Sequence, residues 1–472
     1  MSIKDLFGTE LKVMNIGSPS FTEDYSKQDM PFIHLDWRPP GGGDQALIKA
    51  LNIIETYKEK IEQANDEVIN KIKGAGGVLV GIKKAIAVIP GMTKTTILHS
   101  GPPVKWENMA GPMKGAIMGA LVYEGLAKDL IEAEQLASSG KITFDSAHNH
   151  QAVGPMAGII SPSMPVHVIQ NPENNGYAYC TVNEGLGKVL RYGANNDEVL
   201  NRLRWLEKTF MPVMDEAIKL SGGIDIRSLI AQALHMGDEC HNRNKASSSL
   251  FLREIVAFVV ATSFSLEDKQ AVINFIKNNE HYFLNLSMPF CKVALDSGRN
   301  VKYSSVVIAM ARNGYEFGIQ ISGLNKWYTA PANYVEGLLF PGFTKEDAAR
   351  DIGDSAITET MGIGGFAMGG APAIVQFVGG EVNDALNYSI QMNEITHSQN
   401  PTFTLPTLDF RPTALGIDLL KVIETGILPI INTGMAHKEP GVGQVGAGLV
   451  NPPMDCFIKA IKDFAEMLEK EE

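Results

Sequence analysis

The chain has 472 residues, with 41 Lys+Arg against 53 Asp+Glu and a net charge of −12. That balance repels phosphate backbones and argues against bulk nucleic-acid binding, while leaving open a local cationic pocket for a small anion. A hydrophobic fraction of 44% with 20% charged residues is that of an ordinary globular protein, and the 46 glycines exceed the average usage of roughly 7%.

The N-terminal stretch has no long apolar core behind a basic segment, so no secretory signal is expected. The longest strongly apolar run, residues 255–266, is too short to span a bilayer. Cys180, Cys240, Cys291 and Cys456 form no CxxC pair, which argues against a disulfide framework and a thiolate zinc site. A cytoplasmic location is expected.

Residues 11–16 read as a strand running into the turn Gly17-Ser18-Pro19-Ser20, and residues 32–35 as a second strand. Asp44 is positioned to cap a helix on which Leu47, Leu51, Ile54, Ile61, Val68 and Ile72 share one face. Gly74-Ala75-Gly76-Gly77 ends that helix, and residues 85–89 and 95–99 read as further strands. The alternation predicts a Rossmann-like α/β unit over residues 1–100. Residues 166–170 and 177–182 read as a strand pair, and residues 196–290, poor in Gly and Pro, as an inserted helical domain. Arg312-Asn313-Gly314 between two apolar runs predicts a hairpin. Residues 455–472 read as an amphipathic helix. The expected fold class is therefore α/β and α+β multidomain. Residues 101–195 together with 291–472 would form a mixed α+β domain carrying Gly-rich polar loops.

The turn at Gly17 lacks GxGxxG, and residues 91–96 lack the GxxxxGK[ST] spacing, so neither predicts a nucleotide site. In the densest glycine cluster, residues 362–370, the backbone N–H groups of Gly364 and Gly365 either cradle an anion or serve close packing. Asp145, His148 and His150 form a polar block. Histidines two apart on an extended segment would point to one side. His235, Asp238, Glu239 and His241 would share a helix face in pairs, most simply as a polar network. Asp354, Ser355 and Glu359 stand just before the glycine cluster as candidate substrate anchors or general base, with helix capping the plainer role for Asp354 or Ser355. A strand over residues 427–431 would run into a loop bearing Asn432, Thr433, His437 and Lys438, the usual form of a small-molecule site. Arg411 follows Asp409 in a further polar block.

Taken together, LDWRPPGGGD (35–44), DSAHNHQAVGPMAGIISPSMPV (145–166) and MGDECHNRN (236–244) resemble the YlbE/YahG-like, or AllG-like, family. So do residues 340–380 and NTGMAHKEPGVGQVGAG (432–448), and the resemblance runs nearly end to end. It implies a mixed α/β architecture with a helical domain, in one subunit of a multi-subunit oxamate carbamoyltransferase of allantoin and purine degradation. Such an enzyme converts oxalurate and phosphate to oxamate and carbamoyl phosphate, alongside FdrA-like and AllH-like subunits. The resemblance supplies no residue roles, so the site is inferred from these residues alone. Arg38, Arg411 and Lys438, with the 362–370 loop, are candidate donors to phosphate and to the oxamate carboxylate. His148, His150 or His437 would move the proton at the amide nitrogen, with Glu359 a further acid–base group. Asp145, Asp354, Ser355, Gly364, Gly365, Asn432 and Thr433 complete the expected substrate contacts. No cofactor or metal is expected, and the chain would be part of an oligomer. Two other readings are a non-catalytic assembly subunit for an FdrA-like partner and a metal-dependent hydrolase built on the His/Asp/Glu clusters.

Overall fold

The computed structural model describes residues 13–35 and 40–470. The protein is mixed α/β, with its strands divided among several small sheets. Val13–Ile16 and Phe32–Leu35 pair in parallel, Met14 opposite Ile33 and Ile16 opposite Leu35. Asp44 caps the helix Gln45–Glu55, its carboxylate accepting from the N–H groups of Ala46 (2.8 Å) and Leu47 (3.1 Å). The predicted apolar face continues on a second helix, Lys58–Gly74, after a break at Thr56-Tyr57, and Leu47, Ile54, Ile61, Val68 and Ile72 are buried.

Beyond Gly74 the chain departs from the Rossmann-like expectation. Val78–Lys84 pairs antiparallel with Pro165–Asn171 on one side and Ile224–Asp225 on the other. Thr96–His99 pairs in parallel with Thr143–Ser146. These strands take partners from later in the chain, so the described part of residues 1–100 holds no single parallel sheet. Residues 85–89, expected as a strand, contain the helical turn Ala85–Val88. The N–H groups of Ala85 and Ile86 are taken by the carbonyls of Met164 and Pro162, which draws the chain off the sheet edge.

The sequence-predicted strand pair forms as Pro165–Asn171 with Gly176–Thr181. Residues 196–290 are mainly helical, interrupted by Ile224–Asp225, which joins the sheet. The helix Met211–Ser221 packs on Val78–Lys84, and Leu284–Asp296 on Pro165–Asn171 and Gly176–Thr181. Val213, Met214, Ala217 and Ile218 thus share one apolar core with Leu79 and Ile82. Each large aliphatic side chain buried there contributes about 1.5–3 kcal/mol.

A second core gathers around the C-terminal helix Met454–Glu469, whose Phe457, Ile461, Phe464 and Leu468 meet Phe317, Ile319 and Ile321. This helix also packs on Gln45–Glu55, joining the early and late parts of the chain. The Asn-Gly hairpin forms between Val307–Asn313 and Glu316–Ile321. The Asn313 side-chain oxygen accepts from the N–H groups of Tyr315 (2.9 Å) and Glu316 (2.7 Å), and Gly314 takes the left-handed φ of +80° that the turn requires. The strand expected at 427–431 instead runs Ile431–Ala436, paired with Gln444–Val450. Asn432 and Thr433 are therefore ladder residues rather than loop residues.

Candidate functional site

Strand alternation sends Asn432 and Thr433 to opposite faces of Ile431–Ala436; the Thr433 hydroxyl joins one buried polar cluster, and the Asn432 backbone N–H lies 3.4 Å from the Glu359 carboxylate of a second. On the Thr433 side stands Arg312, fully buried on the strand Val307–Asn313. Its guanidinium donates to the Asp351 carboxylate (2.7 Å), the Gly353 carbonyl (2.9 Å), Ser355 Oγ (3.3 Å) and Thr433 Oγ1 (3.0 Å). Asp354, also fully buried, accepts from the N–H of Gly101 (2.6 Å) and of Gly154 (2.9 Å). His148 Nε2 lies 3.4 Å from Asp354 Oδ1, and its ring meets Trp327 edge-on at 5.3 Å. Burial depresses the pKa of His148, since the charged ring would lose its hydration.

On the Asn432 side, the Glu359 carboxylate is fully buried. Its Oε1 lies 2.7 Å from His241 Nδ1 and accepts from the N–H of Gly365 (2.7 Å), while its Oε2 accepts from Thr358 Oγ1 (3.0 Å). Glu239 sits beside it, accepting from the N–H groups of His241 (2.9 Å) and Arg243 (2.6 Å). Burial raises Asp238 to about 6 and Glu239 to about 7, the nearby Glu359 charge adding to the latter. The glycine cluster Gly364–Gly370 is buried throughout as a 3-10 turn. One of its N–H groups, that of Gly365, does meet an anion, the chain's own Glu359, whereas that of Gly364 donates to the Glu239 carbonyl (2.9 Å) and that of Gly369 to Ser389 Oγ (2.8 Å). Gly364 has φ +60°, and a Cβ there would lie 2.4 Å from Glu359 Oε1. Among the described residues neither amide atom of the buried Asn432 side chain has a partner.

The two histidines expected on one side of an extended segment lie instead on the 3-10 turn Ala147–His150, which separates them. His148 faces the interior. His150 stays partly exposed, Nδ1 2.7 Å from the Pro90 carbonyl and Nε2 3.0 Å from Asp145. The 235–244 run does not continue as a helix: Ile226–His235 ends first, and Asp238, Glu239 and His241 follow in the turn before Lys245–Ala261.

His437 and Lys438 belong to a third, accessible place. His437 Nε2 lies 3.9 Å from Asp347, and the Lys438 ammonium donates to the Glu346 carbonyl (2.8 Å). Lys438 lines an open cleft of about 780 Å³ together with Lys345 and Arg350. Arg411 is exposed at the start of the strand Arg411–Ile417 and enters none of the contacts that build these clusters. Arg38 lies outside the described residues.

Sequence reasoning missed Arg312 as the centre of the first cluster, although a lone cation inside an apolar strand was a readable signal. It also left Lys345 and Arg350 out, for they are ordinary surface cations until the fold sets them beside Lys438. Among the described residues no group of three or more His, Cys, Asp or Glu could hold a metal ion. No helix among them is long and apolar enough to cross a membrane.

Residues 142–355 match the family model described as oxamate carbamoyltransferase subunit AllG. The chain is 47% identical over 466 residues to the uncharacterized protein YahG of Escherichia coli K12, covering 98% of this chain and 99% of that one. It is 44% identical over 412 residues to oxamate carbamoyltransferase subunit AllG of the same organism, covering 86% and 98% of the two chains. A crystal structure of a conserved protein of unknown function from Enterococcus faecalis V583 superposes with a TM-score of 0.86 at 52% identity, over 87% of this chain and 99% of that one. With identity at this level over most of its length, the chain belongs to the AllG family.

Proposed function

We propose that this chain is a subunit of an oxamate carbamoyltransferase-like assembly acting in cytoplasmic purine and allantoin catabolism, beside FdrA-like and AllH-like subunits. The observation that carries the reading is the 44% identity to a protein named as such a subunit, over 98% of that protein's length. In the reaction a phosphate oxygen attacks the ureido carbonyl carbon of oxalurate. The bond from that carbon to the oxamate nitrogen breaks, and the nitrogen takes up a proton, leaving carbamoyl phosphate and oxamate.

The chemistry asks for cations to hold phosphate and carboxylate and for an acid at the leaving nitrogen. Lys438 supports the first need. For the second, His150 beside Asp145 and His437 beside Asp347 are the better-supported imidazoles, since both keep some exposure. His148, Asp354 and Glu359 are enclosed, which suits holding the surrounding loops in place.

The test is to purify the chain with its two partner subunits and measure oxamate-dependent phosphate release from carbamoyl phosphate. Turnover should fall at least tenfold in Lys438→Ala and in one or both of His150→Ala and His437→Ala. Absence of turnover in the complete assembly, or turnover indifferent to all three changes, would overturn the proposal. The burial of His148, Asp354 and Glu359 favours one second reading, a non-catalytic assembly subunit. On that reading omission of the chain abolishes turnover, while no substitution at the accessible residues does.

A further inference from the structure

The cleft beside Lys438 is built by segments distant in the chain: the start of the helix Gly111–Tyr123, residues 334–350, and the strand Ile431–Ala436 with its following turn. Three cationic side chains line it, Lys345, Arg350 and Lys438. Among the described residues none of the three forms an ion pair. The Lys438 ammonium donates to the Glu346 carbonyl (2.8 Å). The Arg350 guanidinium donates to the Ala332 carbonyl and lies 4.9 Å over the Tyr334 ring. Bonds to neutral carbonyls and a ring face hold Lys438 and Arg350 in place, while the carboxylates of Glu346 and Asp347 offset part of the Lys438 charge without pairing with it. In a chain of net charge −12 this convergence runs against the overall balance.

The helix adds to the same field. Ala110, its N-cap, supplies no side-chain cap, and Ala110 and Gly111 both line the cleft. The first turn of this 13-residue helix carries partial positive charge, and its Gly111 and Met113 N–H groups lack helical acceptors, Pro112 having no N–H. Gly111 is what lets the parts meet: a Cβ there would lie 2.2 Å from the Lys438 carbonyl oxygen. Because that position has no side chain, the Lys438 backbone rests against the helix start.

We infer that this cleft binds a small molecule through a phosphate or carboxylate group, held by Lys345, Arg350, Lys438 and the first turn of Gly111–Tyr123. Glu336 and Glu346 also line the cleft, so its excess of positive charge is small and suits a mono- or dianion rather than a polyphosphate. The volume of about 780 Å³ lies toward the upper end of the range for ligand sites, roughly 300–1,000 Å³. It leaves room for a second small reactant beside the first anion. Anion binding here stands on the cleft alone; the identification of that anion as phosphate or carbamoyl phosphate, with oxamate alongside, rests on the function proposed above.

The experiment is calorimetric titration of the full-length chain with inorganic phosphate, then with oxamate in the absence and presence of phosphate. Saturable phosphate binding in the wild type should weaken at least tenfold in Lys345→Ala/Arg350→Ala/Lys438→Ala. It should survive in Lys438→Arg, which keeps the charge, and in Lys128→Ala, an exposed lysine elsewhere. Circular dichroism and thermal melts establish that each variant is folded; if the triple variant does not fold, the single change Lys345→Gln, expected to weaken binding several-fold, decides instead. Absence of saturable binding to the wild type at millimolar phosphate, or unchanged affinity in the folded charge-removing variants, overturns the inference. Phosphate binding that depends on these cations, in an assembly without carbamoyltransferase activity, upholds the site and removes the proposed reaction. Enhanced oxamate binding with phosphate present supports the two-reactant reading of the cleft, and exclusion of oxamate by phosphate overturns it.

Discussion

Replacing Arg312 with Met should strongly destabilise the protein. The guanidinium is fully enclosed and serves four acceptors: the Asp351 carboxylate at 2.7 Å, the Gly353 carbonyl at 2.9 Å, Thr433 Oγ1 at 3.0 Å and, less closely, Ser355 Oγ at 3.3 Å. Methionine fills much of the volume but donates nothing. The principal cost is the Asp351 carboxylate, which has no exposed surface and whose Oδ1 already lacks a partner among the described residues. Removing one member of a buried ion pair costs about 3–5 kcal/mol, and a lost bond to a neutral acceptor about 1 kcal/mol. With three neutral acceptors lost besides Asp351, a destabilisation of about 6–8 kcal/mol is therefore expected for Arg312→Met. Urea denaturation followed by tryptophan fluorescence and far-UV circular dichroism measures it, with agreement of the two probes testing two-state behaviour. Because most of the cost comes from the stranded carboxylate, Arg312→Met/Asp351→Leu should recover about 2 kcal/mol or more relative to the single variant. A loss below about 1 kcal/mol in Arg312→Met, or no recovery in the double variant, would refute the reasoning.

Gly101→Ala should cost about 3 kcal/mol, since φ is +79° and the new Cβ would lie 2.4 Å from the Arg312 carbonyl carbon; a thermal melt unchanged from wild type would contradict this. Asn432→Leu should leave stability within about 1 kcal/mol, because the amide it removes has no partner among the described residues, and a loss above about 2 kcal/mol in urea titration would count against that account. The buried Glu239 carboxyl is raised from 4.5 to about 7, so the folded state holds its proton more tightly than the unfolded state. Its contribution to stability is accordingly favourable at low pH, declines between pH 4.5 and 7 and is lost above, a change of about 3 kcal/mol at about 1.4 kcal/mol per pH unit. The stability of Glu239→Gln relative to wild type should therefore rise across that window, and parallel pH–stability curves for the two proteins would show that the carboxyl does not titrate there.

Local features of the fold were legible in the sequence wherever a signal and its partner lay within a few residues. Asp44 caps the helix it precedes, Asn313-Gly314 makes its hairpin, and the charged-and-apolar alternation of the tail forms Met454–Glu469. The AllG-family blocks were legible too, because each is long enough to be distinctive. The location of the candidate donors was less so. The glycine cluster at 362–370 reads in sequence either as an anion cradle or as close packing; only the fold shows that it is buried and that the N–H of Gly365 holds the carboxylate of Glu359.

Composition alone determined that this is a globular, acidic protein whose recognition of anions must be local. Periodicity and turn chemistry, acting over one or two turns of chain, determined the helical stretch after Asp44, the helical character of residues 196–290, the tail helix and the clearest hairpin. Which polar groups are buried together was decided only by tertiary structure: Arg312 meets Thr433 across 121 residues, and His241 meets Glu359 across 118. The same holds for strand partners, since Val78–Lys84 carries no mark of its antiparallel neighbour Pro165–Asn171. The physical reason is range. Capping and turn preferences are properties of adjacent residues, whereas pairing, burial and the convergence of Lys345, Arg350 and Lys438 on one cleft depend on the packing of the whole chain.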